Sequence, residues 1–147
     1  MTTATLNLVV APAVAAPTQA PGFVNASPKT LLRLEGLVML IAAVAGFRAL
    51  GGSWGFFAAA FLVPDLTMLG YLAGSKVGAA SYNAGHSLIG PLLLAAVALL
   101  SGSTMMWLCT LIWVAHIGFD RAAGYGLKYA SAFGHTHLGA VGKNGLG

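Results

Sequence analysis

Charge is what this sequence has least of. Of 147 residues, three are acidic and seven are Lys or Arg, so charged side chains make up 7% of the chain. Soluble domains carry about 25%. With so few charges the chain cannot cover a folded surface in water, and the 58% hydrophobic content calls for a bilayer instead. The formal charge of +4 does not point to nucleic acid, because the basic residues are scattered and form neither a patch nor an aromatic-interleaved stripe. Cysteine is almost absent. Cys109 stands alone, which excludes an intrachain disulfide and any CxxC metal motif, and it reads as a small buried hydrophobe. No basic residue precedes Lys29, so the Ala13-Val14-Ala15 stretch lacks the start that a secretory signal requires. Residues 1–28, broken by Pro12, Pro17, Pro21 and Pro28, read as a flexible amino-terminal tail.

What is present is apolar sequence in four runs, about 30–50, 54–72, 76–100 and 104–123. Each is long enough for a hydrocarbon core about 30 Å thick. Gly51-Gly52-Ser53, Gly74-Ser75 and Ser101-Gly102-Ser103 separate them, with Ser53 and Ser75 placed as helix caps. Connections this short make consecutive helices antiparallel neighbours. The expected fold is an all-α membrane protein: a bundle of four antiparallel transmembrane helices over 29–123 and a juxtamembrane tail over 124–147. Gly74, Gly78, Ser81, Ala84 and Gly85 form a small-residue surface on the third helix, which lets helix backbones approach closely in lipid. Trp54, Trp107 and Trp113 read as interface or packing aromatics. The basic residues set the orientation. Lys29, Arg33, Lys76, Arg121, Lys128 and Lys143 fall on one side and Arg48 alone on the other, which places both termini in the cytoplasm.

Against that background the polar residues inside the runs stand out. A charge at the bilayer centre costs at least about 2.5–3.5 kcal/mol, so it calls for a partner or a function. All three carboxylates, Glu35, Asp65 and Asp120, lie in the runs, together with Asn83, His86, Ser87 and His116. With a rise of about 1.5 Å per residue, Asp65 lies roughly 13 Å and His86 roughly 16 Å from the cytoplasmic side. His116 falls about 18 Å from the outer end, also in the inner half. His116 and Asp120 are four apart and share a helix face. Pro64 loosens the helix beside Asp65 and frees a carbonyl there. Asp65, His86, His116 and Asp120 are thus a candidate ligand set for zinc or iron, with Glu35 and Asn83 as assisting catalytic groups. Arg121, Tyr125 and Lys128 at the start of the tail suit an anionic lipid headgroup. His135 and His137 form an HxH pair, a weak metal signal.

Five stretches resemble a bacterial integral-membrane family of unknown function, domain-of-unknown-function family 4260. They are Leu31-Leu32-Arg33-Leu34-Glu35-Gly36, Pro64-Asp65-Leu66-Thr67-Met68-Leu69-Gly70-Tyr71, Tyr82-Asn83-Ala84-Gly85-His86, His116-Ile117-Gly118-Phe119-Asp120-Arg121 and Gly124-Tyr125-Gly126-Leu127-Lys128-Tyr129. The resemblance covers about residues 30 to 141. It implies four membrane helices and a place in the bacterial cytoplasmic membrane, and it brings no activity, substrate or catalytic residue.

Three functions fit the residues. The first is a metal-dependent membrane enzyme, lipid hydrolase-like in its substrate, in which the metal activates water. The second is a proton- or cation-coupled small transporter, for which four helices enclose too little space and a homodimer is required. The third is a structural membrane protein whose polar residues only join helices. The lipid bilayer is the partner common to all three.

Overall fold

The computed structural model describes residues 26–131 and 133–140. The amino-terminal tail up to Asn25, including Ala13-Val14-Ala15, lies outside the described residues, as does Lys143. Glycine and serine punctuate the helices as their chemistry dictates. Gly51, Gly102 and Gly124 end helices with φ of 76°, 66° and 97°, a left-handed region that disfavours side chains. Ser53 and Ser103 start the next helices, their hydroxyls accepting from Phe56 N (3.3 Å) and Met106 N (3.4 Å). At the second turn Gly74, with φ 103°, takes the cap position, and Ser75 becomes the first helical residue rather than the cap.

Four segments result. The first is α1 (Ala26–Ala49). The second is α2 (Trp54–Phe61) continued by a 3-10 helix (Val63–Ala73). The third is α3 (Ser75–His86) followed by α4 (Ile89–Ser101), and the fourth is α5 (Thr104–Ala123). Three helices, Ser27–Ala49, Trp54–Ala73 and Ser75–Ser101, are long and apolar enough to cross a membrane. Their large side chains point outward: Leu72, Leu99 and Leu100 are 87%, 72% and 88% exposed, a surface suited to hydrocarbon rather than water.

Helix α5 is the centre of the packing, in contact with α1, α4 and α2. It meets α1 through two glycines. A Cβ on Gly36 would lie 2.9 Å from the Gly118 carbonyl, and one on Gly118 would lie 2.8 Å from the Gly36 carbonyl. Backbones touch there, as small residues permit in lipid. The 3-10 helix packs against α3 in the same manner, with Gly78 against the Tyr71 ring, Gly85 against Thr67 and the Ser81 hydroxyl donating to the Thr67 carbonyl. Gly74 faces open space, so the small-residue surface runs through Gly78, Ser81 and Gly85.

The second and third segments are not continuous α-helices. Pro64 lacks an amide hydrogen and its ring crowds the carbonyl four residues back, so α2 stops at Phe61 and the chain tightens into 3-10 geometry. Pro91 does the same to Ser87, which leaves the helix at φ −86° and ψ 155° before α4 begins. The break exposes the Gly85 carbonyl, and the Trp113 indole donates to it at 2.6 Å. After Gly124 the chain turns back on the bundle. Strands β1 (His135–Thr136) and β2 (Gly139–Ala140) pair antiparallel, Lys128 bridges to Thr136, and Leu138 is buried.

If the α1–α5 crossing is fixed by backbone contact, Gly118→Val destabilises the protein by about 1–3 kcal/mol through overpacking. Thermal unfolding in detergent, followed by circular dichroism, measures this. Gly46→Ala, whose Cβ meets only Leu111 side-chain atoms at 3.4 Å, leaves the midpoint unchanged or raises it.

Candidate metal centre

Both helix breaks lie at the same place in the structure. Asp65 follows the break in the second segment, His86 ends α3 at the break in the third, and α5 brings His116 and Asp120 on one face. The His86 Nε2 is 3.1 Å from the His116 Nε2 and 3.3 Å from Asp65 Oδ1, while His116 Nε2 is 3.5 Å from that same oxygen. A tetrahedral site with ligand bonds of about 2.0–2.1 Å has edges of about 3.3–3.4 Å. Asp65, His86 and His116 therefore lie close enough to hold one metal ion. Asp120 Oδ2 stands 3.5 Å from His86 and 3.9 Å from His116. Both imidazoles are buried, and the Asp120 side chain is nearly so at 15% exposure. Asp65 is 37% exposed and marks the open side.

The surroundings fix these groups. The His86 Nδ1 lies 2.9 Å from the Tyr82 carbonyl, which can only accept, so Nδ1 carries the proton and Nε2 of the neutral ring presents its lone pair to the cluster. The Tyr82 ring stacks on His86 with centroids 3.8 Å apart, and its hydroxyl donates to Asp120 Oδ2 at 3.1 Å. The edge of the Phe61 and His116 rings meets at 5.2 Å between centroids, and the buried His116 Nδ1 has no hydrogen-bond partner among the described residues. Tyr82 is the cluster residue that sequence reasoning passed over. Its signal was the i, i+4 spacing to His86, which lets one residue serve His86 through its carbonyl and Asp120 through its hydroxyl.

Other expected site residues go elsewhere. Glu35 is exposed on α1, and no hydrogen bond or ion pair joins it to the cluster among the described residues. Asn83 spends its amide on the tail: its Nδ2 donates to the Lys128 carbonyl at 2.9 Å and its Oδ1 accepts from the Lys128 amide at 2.7 Å. Lys128 is buried rather than presented to headgroups. Its Nζ lies over the rings of Phe133 (3.2 Å), Tyr82 (4.5 Å) and Tyr71 (5.6 Å), and burial holds its pKa below the usual ammonium value. Tyr125 is exposed, and Arg121 lines a small cleft with Tyr82, His86, Asp120 and Gly126. The two histidines of the HxH pair have separate partners. His135 Nδ1 lies 3.1 Å from the Ser131 hydroxyl, and His137 Nδ1 accepts from the Leu127 amide at 2.9 Å.

Residues 29–141 match the family described as Domain of unknown function (DUF4260). The chain belongs to this family. No curated protein and no solved structure matches it. All four members of the DUF4260 chain's His/Asp cluster lie inside the matched span, as does the tail that Asn83 holds.

Two outcomes follow for the tail. Asn83→Ala leaves two backbone groups of Lys128 without partners, so limited proteolysis with trypsin cuts after Lys128 at least about tenfold faster than in the wild type. His137 gives a pH dependence. Burial lowers its pKa from 6.5, with Arg121 adding in the same direction. Its contribution to tail docking is therefore full above the unfolded pKa and is lost as pH falls through about 6.5 and below. Hydrogen exchange at the Leu127 amide, measured between pH 5 and 8 and corrected for intrinsic rate, rises on acidification.

Proposed function

We propose that this protein is a metal-dependent membrane hydrolase whose centre is held by Asp65, His86 and His116, with Asp120 as the general base. The observation that carries this reading is the 3.1 Å approach of the His86 and His116 Nε2 atoms beside two carboxylates. Two imidazolium rings cannot face each other N–H to N–H at that distance, so protonating both histidines does not balance the two carboxylates. One divalent cation does balance them, and it accepts both lone pairs. A bound zinc or iron ion supplies water activated at neutral pH. With that ion bound, Asp120, fixed by the Tyr82 hydroxyl, would be placed to take a proton from the water, and the exposed Asp65 marks the side open to substrate. The bilayer is crossed four times, with Lys29, Arg33, Arg121 and Lys128 at the cytoplasmic end, in keeping with the excess of basic residues there.

A proton-coupled transporter working as a dimer is the second reading. It is favoured by the same His86–His116 contact, which without metal is a single hydrogen bond flanked by carboxylates.

Metal quantitation separates the two. Protein purified in detergent carries about one zinc or iron per chain, the His86→Ala/His116→Ala double variant carries less than about a tenth of that, and Asp120→Asn retains it. Substoichiometric metal that does not respond to the histidine substitutions sinks the metal reading. Proton release on adding a lipophilic cation to such metal-free protein would support the second.

A further inference from the structure

Away from the cluster, a second feature stands at the end of α1 that meets the tail. Thr30, Arg33, Leu34 and Leu37 recur at helical spacing and so share one side of α1. Together with Ala122 of α5 they line an open cavity of about 270 Å³. One water needs roughly 10–15 Å³ on the same measure, so the cavity seats a group of several heavy atoms. Its lining changes character along the helix axis. Thr30 and Arg33 form a polar end, Leu34 and Leu37 an apolar one, and the exposed Ile41 carries that row one turn further. No carboxylate lines the cavity. Asp65 and Asp120 belong to the cluster, and Glu35, two residues past Arg33, points about 200° away around the helix.

Arg33 is oriented without being neutralised. Its Nε donates to the Ala122 carbonyl at 2.9 Å, which holds the guanidinium at the cavity, and no acid pairs with it among the described residues. The neighbouring carbonyls of α5 are occupied as well. Those of Asp120 and Arg121 accept from the Tyr125 amide at 2.7 Å and the Gly124 amide at 3.1 Å. The carboxyl end of α5 therefore repels an anion less than an open helix end would. Further positive charge is close by: Lys29 stands one turn before Arg33, and Arg121 comes from the facing helix, its Cβ side against Gly36. Arg33 lies six residues into the span Ser27–Ala49, roughly 9 Å along its axis, a depth from which an arginine reaches the phosphate level of a bilayer.

We propose that this cavity binds an anionic phospholipid, its phosphate on the Arg33 guanidinium and one acyl chain along Leu34, Leu37 and Ile41. Charge complementarity selects the headgroup, because the site offers cations and no acid that could pair with a headgroup ammonium. The leucines select a lipid over a free phosphate, because they line the same cavity as the guanidinium. The assignment does not rest on the hydrolase reading, since no residue of the cluster lines this cavity.

Equilibrium binding of fluorescently labelled phosphatidylglycerol to the full chain in maltoside micelles tests this, with phosphatidylcholine bearing the same label and inorganic phosphate as the other probes. Phosphatidylglycerol is expected to bind at least about tenfold more tightly than phosphatidylcholine, and Arg33→Gln to weaken it at least about tenfold. Leu37→Gln, which makes the chain path polar, weakens it at least about threefold. Lys76→Gln removes the same charge at the start of α3, outside the cavity, and changes binding less than about twofold. Arg33→Gln that stays folded by circular dichroism and binds like the wild type overturns the site. So does Lys76→Gln weakening binding as much as Arg33→Gln, which would mean diffuse attraction. Should Arg33→Gln unfold for want of its bond to Ala122, the other arms decide. Equal binding of the two lipids overturns the anionic headgroup, and phosphatidylglycerol bound unchanged by Leu37→Gln but displaced by millimolar inorganic phosphate overturns the lipid.

Discussion

Two carboxylates placed among membrane-spanning helices must be compensated where they lie, because water does not reach them freely and a charge there costs at least about 2.5–3.5 kcal/mol. In this protein the facing histidines, which stand within 3.9 Å of both carboxylates, are the nearest source of that compensation. Lys128 contributes too, since its ammonium lies over the Tyr82 ring that stacks on His86 and interacts electrostatically with Asp120 and Asp65. Arg33 and Arg121 sit at the tail end of α5, and Arg48 lies at the far end of α1 beside Trp54. This single requirement makes sense of arrangements that look unrelated: the breaks in two helices, the second role of Tyr82, and the tail folded over the cluster.

The breaks are how the backbone meets it. A straight helix through residues 54–73 or 75–101 presents side chains at fixed angular intervals, and Asp65 and His86 would have to share a point with His116 by chance of rotation. Pro64 and Pro91 uncouple the two halves of each segment, so the half that bears the ligand turns independently of the half that packs on α5. The freed backbone groups are then taken up. Trp113 bonds the Gly85 carbonyl, and the Thr67 hydroxyl bonds the Pro64 carbonyl at 2.6 Å. In hydrocarbon such groups cannot be left open, so these two side chains belong to the breaks as much as the prolines do.

Much of this was legible in the sequence, and the limits of legibility are physical. Helix positions followed from run length and from glycine and serine at the turns, because a bilayer imposes both. Asp65, His86, His116 and Asp120 were recognisable as a group because charge in lipid is scarce and depth follows from helical rise. Rotation was not legible: Asn83 shares the polar stretch of α3, yet it faces the tail, and Glu35 faces outward. Pro64 was read as a local loosening. That it would impose a 3-10 helix through Ala73 depends on close packing against Gly78 and Gly85, which no local pattern encodes. The place of Lys128 was hidden for the same reason, since its ammonium reaches Tyr82 only once the tail has returned to α3.

The unpartnered His116 Nδ1 bears on which chemistry the cluster performs. A buried nitrogen left without a partner costs about 1–3 kcal/mol. As a hydrogen-bond donor to His86, His116 keeps its proton on Nε2, and the bare Nδ1 is an idle acceptor facing apolar groups. As a metal ligand it carries the proton on Nδ1 and lacks the acceptor that a ligating histidine usually has, whereas His86 has one in the Tyr82 carbonyl. The two imidazoles are therefore unequal in their surroundings. His86 is held in one orientation by its backbone acceptor, while His116 has no acceptor at Nδ1 and packs its ring against Phe61. An asymmetric pair of this kind suits a centre in which one histidine anchors and the other adjusts, and the adjustable one shares its helix face with Asp120, the residue proposed as the general base.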